Sequence, residues 1–221
     1  MRPSMRSLLV PAVAGLALTG CLPKRYPLVP PDAARLAAAA PDSFTVRFTT
    51  TRGPFDVRVH RDWAPRGTDR IYYLVKARFF DGAKFFRVVN GSDGKPFVAQ
   101  FGLNGDTAVS RAWRGTRIPD DSVRHSNVRG TLAFAAGGPN TRTTQIYVNF
   151  GDNSRLDRQG FAVFGEVVAG MTTVVDELYR GYPDVPNQDS ISHQGNAYLT
   201  RKYPRLDGVV KARVIQEWRH E

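Results

Sequence analysis

Gly130-Thr131-Leu132-Ala133-Phe134-Ala135-Ala136-Gly137-Gly138-Pro139-Asn140-Thr141-Arg142-Thr143-Thr144-Gln145-Ile146-Tyr147-Val148-Asn149-Phe150 contains two short apolar runs, 131–135 and 146–150, with glycine, proline and asparagine between them. Runs of this length bounded by turn formers read as strands. In the second run Gln145 and Tyr147 lie two apart and share a face, while Ile146, Val148 and Phe150 point the other way. One side of this strand suits a core, and the other can line a groove.

The same pattern extends in both directions. Upstream, Phe44, Val46 and Phe48 alternate with polar residues, and after Thr51-Arg52-Gly53-Pro54 the alternation resumes at Phe55, Val57 and Val59, which predicts a β-hairpin with one buried face. Asp62 is placed to cap a helix with Pro65 in its first turn and Ile71, Leu74, Val75 and Phe79 at helical spacing, ended by Asp81-Gly82. Short strands are predicted at 85–89, 97–101 and 161–164. A second helical stripe follows in Met171, Val174, Val175, Leu178 and Tyr179, then a last strand through Val210, Ala212 and Val214. The order is hairpin, helix, many strands, helix, strand. It implies a mainly β barrel or sandwich in which two helices plug the ends of a closed sheet, removing exposed strand edges.

A chain of 221 residues, 42% hydrophobic and 23% charged, suits one core. Its start differs from the rest: Arg2 and Arg6 precede an apolar run from Leu8 to Leu18, then Leu18-Thr19-Gly20-Cys21. Residues 1–20 read as an export signal, because the apolar run is short of the roughly 20 residues a membrane span needs. The motif resembles the lipobox of bacterial lipoproteins, whose cysteine is lipidated and becomes the mature N-terminus, so Cys21 is the expected lipidation site. An ordinary cleaved signal with a chance cysteine is the alternative. Residues 21–42, rich in Pro and Ala, are expected to form a flexible tether, and residues 43–221 the folded domain. Leu22 after the cysteine, by analogy with enterobacterial sorting, favours the periplasmic face of the outer membrane over the inner membrane.

The formal charge of +11 becomes +9 once Arg2 and Arg6 are removed. The arginines are scattered, no run of five like charges occurs, and export argues against nucleic acid, so the partner expected at this point is a membrane, reached through the lipid. A monomer is expected. His60, His125, His193 and His220 lack metal-ligand spacing, and no nucleophile elbow, phosphate loop or dinucleotide fingerprint is present.

Phe85-Phe86-Arg87-Val88-Val89, Phe97-Val98-Ala99-Gln100-Phe101-Gly102, the 130–149 segment, Leu156-Asp157 and Phe161-Ala162-Val163-Phe164-Gly165-Glu166-Val167 together resemble the cyclophilin family of peptidyl-prolyl cis/trans isomerases. The resemblance runs from about Phe44 to about Ile215. It implies a closed eight-stranded antiparallel β-barrel capped by two helices, and an enzyme that twists the X-Pro bond without metal or cofactor. Arg87 matches the family's catalytic arginine, and Gln100 the residue that hydrogen-bonds the substrate backbone. Phe97, Val98, Tyr147, Leu156 and Phe161 match the proline pocket, although Val98 and Phe161 also suit a barrel core. Ala135, Ala136 and Gly137 match the segment that pairs with the substrate main chain, and Gln145 shares the groove with Tyr147.

Three departures stand out. Five additional residues, Ser92 to Pro96, follow Gly91 and are expected to bulge outward. Arg155 replaces a tryptophan of the best-known members, which weakens the case for tight cyclosporin binding, and Phe161 replaces a histidine. Residues 181–206 resemble a bacterial subgroup with an extended loop. A barrel that grips proline segments without turnover is the alternative function, disfavoured because Arg87, Gln100 and Tyr147 are all present.

Overall fold

The computed structural model describes residue 31 and residues 33–219, so the expected signal and Cys21 lie outside the described residues. Eight strands form one antiparallel sheet: β1 (Ser43–Thr50), β2 (Gly53–His60), β3 (Arg87–Asn90), β4 (Pro96–Phe101), β5 (Thr131–Phe134), β6 (Ile146–Asn149), β7 (Val163–Ala169) and β8 (Val209–Trp218). Their spatial order is β3-β4-β6-β5-β7-β2-β1-β8. The two outermost strands meet through the residues that lead into them. Lys84 bridges Gly208, the Phe85 N–H donates to the Asp207 carbonyl at 3.0 Å, and the Val209 N–H donates to the Ala83 carbonyl at 2.8 Å. The sheet therefore curls into a barrel, and its outermost backbone groups find partners instead of lying open.

Alternation along each strand decides what enters the barrel. Phe44, Val46, Phe48, Phe55, Val57 and Val59 share a single core with Val88, Ala99, Phe101, Ile146 and Val148. Phe48 lies at its centre, stacked on Phe55 at 5.1 Å and edge-on to Phe101 at 5.6 Å.

The sequence predicts two helices, whereas the described residues contain four α-helices: α1 (Ala33–Ala37), α2 (Pro65–Lys76), α3 (Thr107–Trp113) and α4 (Gln188–Lys202). The predicted apolar face of α2 enters the core through Ile71, Leu74 and Val75. Its predicted cap does not form, because Ala64 occupies the N-cap position. The buried carboxylate of Asp121 does this work from a distance, accepting the Arg66 N–H at 3.0 Å and the Gly67 N–H at 2.8 Å.

The stripe beginning at Met171 also differs from expectation. Val174, Val175 and Leu178 are buried as predicted, but residues 171–175 form one wide, five-residue π-type turn. The helix goes no further because the Tyr179 N–H is taken by the Asp207 carboxylate at 2.8 Å. The segment expected as an extended loop instead carries α4, which is interrupted at Gly195, where φ is +60°. A Cβ there would meet the Gly105 carbonyl oxygen at 2.1 Å, so glycine meets both the backbone and the packing requirement. The far end of the expected tether is also structured: α1 precedes Ala40, which is buried and donates its N–H to Asp69 at 2.8 Å.

Candidate active site

Cross-strand register builds the site. Arg87 in β3 pairs with Gln100 in β4, Gln100 with Tyr147 in β6, and Tyr147 with Ala133 in β5. Directly paired residues project from the same face, so these side chains form a row across four strands. Their neighbours Val88, Ala99 and Val148 belong to the core, so the row lies on the outer surface of the barrel. A separate apolar cluster covers that surface, made of Val89, Val98, Ala133, Tyr147 and Leu156, with Phe97, Ala135 and Phe161 packed against it. Val98 and Phe161 thus belong to the outer cluster and not to the barrel core.

These residues surround a cleft of about 340 Å³. Every residue assigned to the site from sequence lines it: Arg87, Gln100, Phe97, Val98, Ala135, Ala136, Gly137, Gln145, Tyr147, Leu156 and Phe161. Sequence reading missed Thr141, Thr143 and Gln188. The threonines lie between the quoted strands as ordinary loop residues, and Gln188 comes from the extension, where no local signal marks it. Residues 92–95 do not line the cleft; they form a tight turn closed by the Gly91 N–H on the Lys95 carbonyl at 2.7 Å, which is the outward bulge expected of the insertion.

The Arg87 guanidinium is held on two sides. Nε donates to Asp184 Oδ1 at 3.0 Å, and Nη1 donates to Gln100 Oε1 at 3.4 Å. Gln100 Nε2 in turn donates to Gln145 Oε1 at 2.8 Å. The Phe97 ring lies between two cations, with Arg87 Cζ 5.8 Å and Arg155 Cζ 4.7 Å from its centroid. Arg155, in the position of the family's tryptophan, therefore covers the pocket ring with a guanidinium.

A buried polar network supports the pocket from below. Tyr147 donates its hydroxyl to Asn127 Oδ1 at 2.9 Å, and Asn127 Nδ2 donates to Asp157 Oδ1 and to the Phe161 carbonyl, each at 2.8 Å. One asparagine thus fixes both aromatic walls, whose rings sit edge-on at 6.1 Å. Burial, and then the charge of Asp157, push the Tyr147 hydroxyl pKa upward. Burial pulls the Asp157 carboxyl up, but hydrogen bonds from the Asn127 side chain, the Ser126 hydroxyl and the Asn127 N–H outweigh it and hold the group below its ordinary value. A depressed folded-state pKa stabilises the site fully above the unfolded value, about pH 4, and that stabilisation is lost as pH falls through the folded value. Activity is therefore expected to stay level from pH 8 to 5 and to fall below about pH 4 together with the Asn127 side-chain amide resonance. A loss of activity centred above pH 5 contradicts this coupling.

Comparison with known proteins agrees with this geometry. The cyclophilin type peptidyl-prolyl cis-trans isomerase/CLD family profile matches residues 45–194, and the chain belongs to that family. A peptidyl-prolyl cis-trans isomerase of Acinetobacter baylyi is 29% identical over 165 residues, covering 69% of this chain and 85% of its own. Peptidyl-prolyl cis-trans isomerase-like 3 of Rattus norvegicus is 28% identical over 162 residues, covering 67% and 96%. A crystal structure of a Cryptosporidium parvum cyclophilin type isomerase superimposes with a TM-score of 0.56 at 18% identity, covering 78% of this chain and 97% of its own, a likeness of fold. The activity is accordingly cis-trans isomerisation of peptidyl-prolyl bonds, and the substrates are proline-containing peptides.

Proposed function

We propose that this isomerase acts on exported polypeptides in a bacterial cell envelope, tethered by lipid on Cys21, with Arg87 as the catalytic group. The observation that carries the site reading is the position of the Arg87 guanidinium beside Gln100, in the same cleft as the apolar walls Phe97, Val98, Tyr147, Leu156 and Phe161. Rotation about an X-Pro bond faces a barrier of about 18–20 kcal/mol because the C–N bond has partial double-bond character. A catalyst lowers that barrier by favouring the twisted amide, in which the prolyl nitrogen becomes pyramidal and gains an accepting lone pair. The pyrrolidine ring enters between Phe97, Tyr147, Leu156 and Phe161, and Arg87 then meets the developing lone pair with a fixed N–H donor and positive charge. Arginine needs no proton transfer for this role.

Gln100 holds the guanidinium and presents its amide to the substrate backbone. The Gly137 N–H is occupied by Thr141 Oγ1 at 3.0 Å and the Ala135 N–H by the Gln145 carbonyl at 3.0 Å, so the edge offered to the peptide main chain centres on Ala136. Its small side chain allows close approach.

The cellular reading rests on the sequence Leu18-Thr19-Gly20-Cys21 after its apolar run and on the Leu22 sorting analogy, which favours the outer membrane. None of the helices among the described residues is long and apolar enough to cross a membrane. Cells grown with a palmitate analogue are expected to label the protein, and Cys21→Ser is expected to abolish the label and release the protein from the membrane fraction. Label on the Cys21→Ser variant contradicts the anchor.

A further inference from the structure

We propose that Asp184 is a positioning residue for Arg87, supplied by the segment between residues 181 and 188; this rests on Arg87 acting on the prolyl amide. The contact is direct, Arg87 Nε donating to Asp184 Oδ1 at 3.0 Å across 97 positions of sequence. With Gln100 on Nη1, two of the three guanidinium nitrogens are held by the protein, and Nη2 has no protein hydrogen bond among the described residues. That leaves both N–H groups of Nη2 and the second N–H of Nη1 to face the substrate.

The segment that brings Asp184 to the cleft is itself anchored. Pro186 is buried, Tyr182 sits edge-on to Tyr203 at 5.2 Å, and the Tyr203 hydroxyl donates to the Val185 carbonyl at 3.4 Å. The N-cap of α4 follows at once, where Asn187 Oδ1 accepts the Ser190 N–H at 2.8 Å. Phe86, the residue before Arg87, is buried against Ile191, Tyr198 and Leu199 of α4. The extension therefore clamps the base of the arginine's strand and the head of its side chain together.

Two effects of the carboxylate oppose each other. It fixes a side chain that otherwise samples many rotamers, so the donor is in place before substrate arrives. It also offsets the positive charge needed at the twisted amide. The Asp184 side chain is 64% exposed, so water screens its charge, whereas the hydrogen bond keeps its direction. Orientation wins, and the acceptor oxygen matters more than the charge.

The test compares Asp184→Ala, Asp184→Asn and Arg87→Ala in the whole protein by isomerisation of a short X-Pro peptide. Asp184→Ala is expected to lower kcat about three- to fivefold, the upper part of what an exposed ion pair contributes, with KM unchanged. Asp184→Asn keeps an oxygen acceptor and is expected to recover most of that loss. The Arg87 Nε–H resonance is expected to be sharp in wild type and Asp184→Asn and broadened in Asp184→Ala. Wild-type kcat in Asp184→Ala, a faster Asp184→Ala, or an Asp184→Asn as slow as alanine each overturns the proposal. An Arg87→Ala protein as active as wild type removes the reading of Arg87 itself, which is a separate result.

Discussion

Arg87→Ala is expected to lower kcat/KM on an X-Pro peptide by about a hundredfold, in the range seen when one preorganised transition-state donor is removed. Most of the loss should fall on kcat. The apolar cleft formed by Phe97, Tyr147 and Leu156 still binds the proline ring, so ground-state binding survives while the donor to the pyramidal nitrogen is gone. Lysine is expected to recover little: a single ammonium cannot reproduce the planar fork that reaches both Asp184 and Gln100. Stopped-flow isomerisation across substrate concentrations separates the two constants. A variant within threefold of wild type would leave a binding cleft without the proposed catalyst.

Asp121→Ala is expected to destabilise the protein by about 3 kcal/mol, since removing one member of a buried ion pair strands its partner. Arg142 is only 3% exposed at its side chain, and its Nη1 donates to Asp121 Oδ2 at 3.1 Å. Asp120 lies 3.1 Å from Arg142 Nε but is aligned too poorly for a hydrogen bond, so it compensates only in part. The same carboxylate holds the first two N–H groups of α2, which lose their acceptor as well. For a chain of this size the loss corresponds to a melting temperature lower by about 10 °C. Affinity should also suffer, because Arg142, which Asp121 holds, lies between Thr141 and Thr143 in the loop that supplies both threonines to the cleft. Urea unfolding measures the first effect and KM the second; a stability change under about 1 kcal/mol contradicts the account of this pair.

Features written in local periodicity or in motif order were legible from sequence. Alternation set Ile146, Val148 and Phe150, which enter the core, against Gln145 and Tyr147, which line the cleft, and the motif segments carried the rest of the cleft. What escaped depends on distant partners. The α2 cap comes from Asp121, 55 residues beyond Arg66, and Asp62 offered a local candidate that the fold does not use. The Met171 stripe was read correctly as apolar but too long, because its continuation is interrupted by Asp207, 28 residues away from Tyr179. In α4 only Ile191, Gly195, Tyr198 and Leu199 are buried, too few for a clear stripe, and a left-handed glycine breaks the helical period. The Asp184 contact was hidden for the same reason: an exposed aspartate after a proline reads as a loop residue until the fold brings it to Arg87.

The most direct test is the structure of the protein with a short X-Pro peptide bound, by crystallography or from intermolecular NMR contacts. The account predicts the prolyl ring between Phe97, Tyr147 and Phe161, with an Arg87 N–H within about 3.2 Å of the prolyl nitrogen or an adjacent carbonyl oxygen. A peptide seated in the cleft with the Arg87 guanidinium turned away from the prolyl amide, or a peptide bound elsewhere on the barrel, contradicts it.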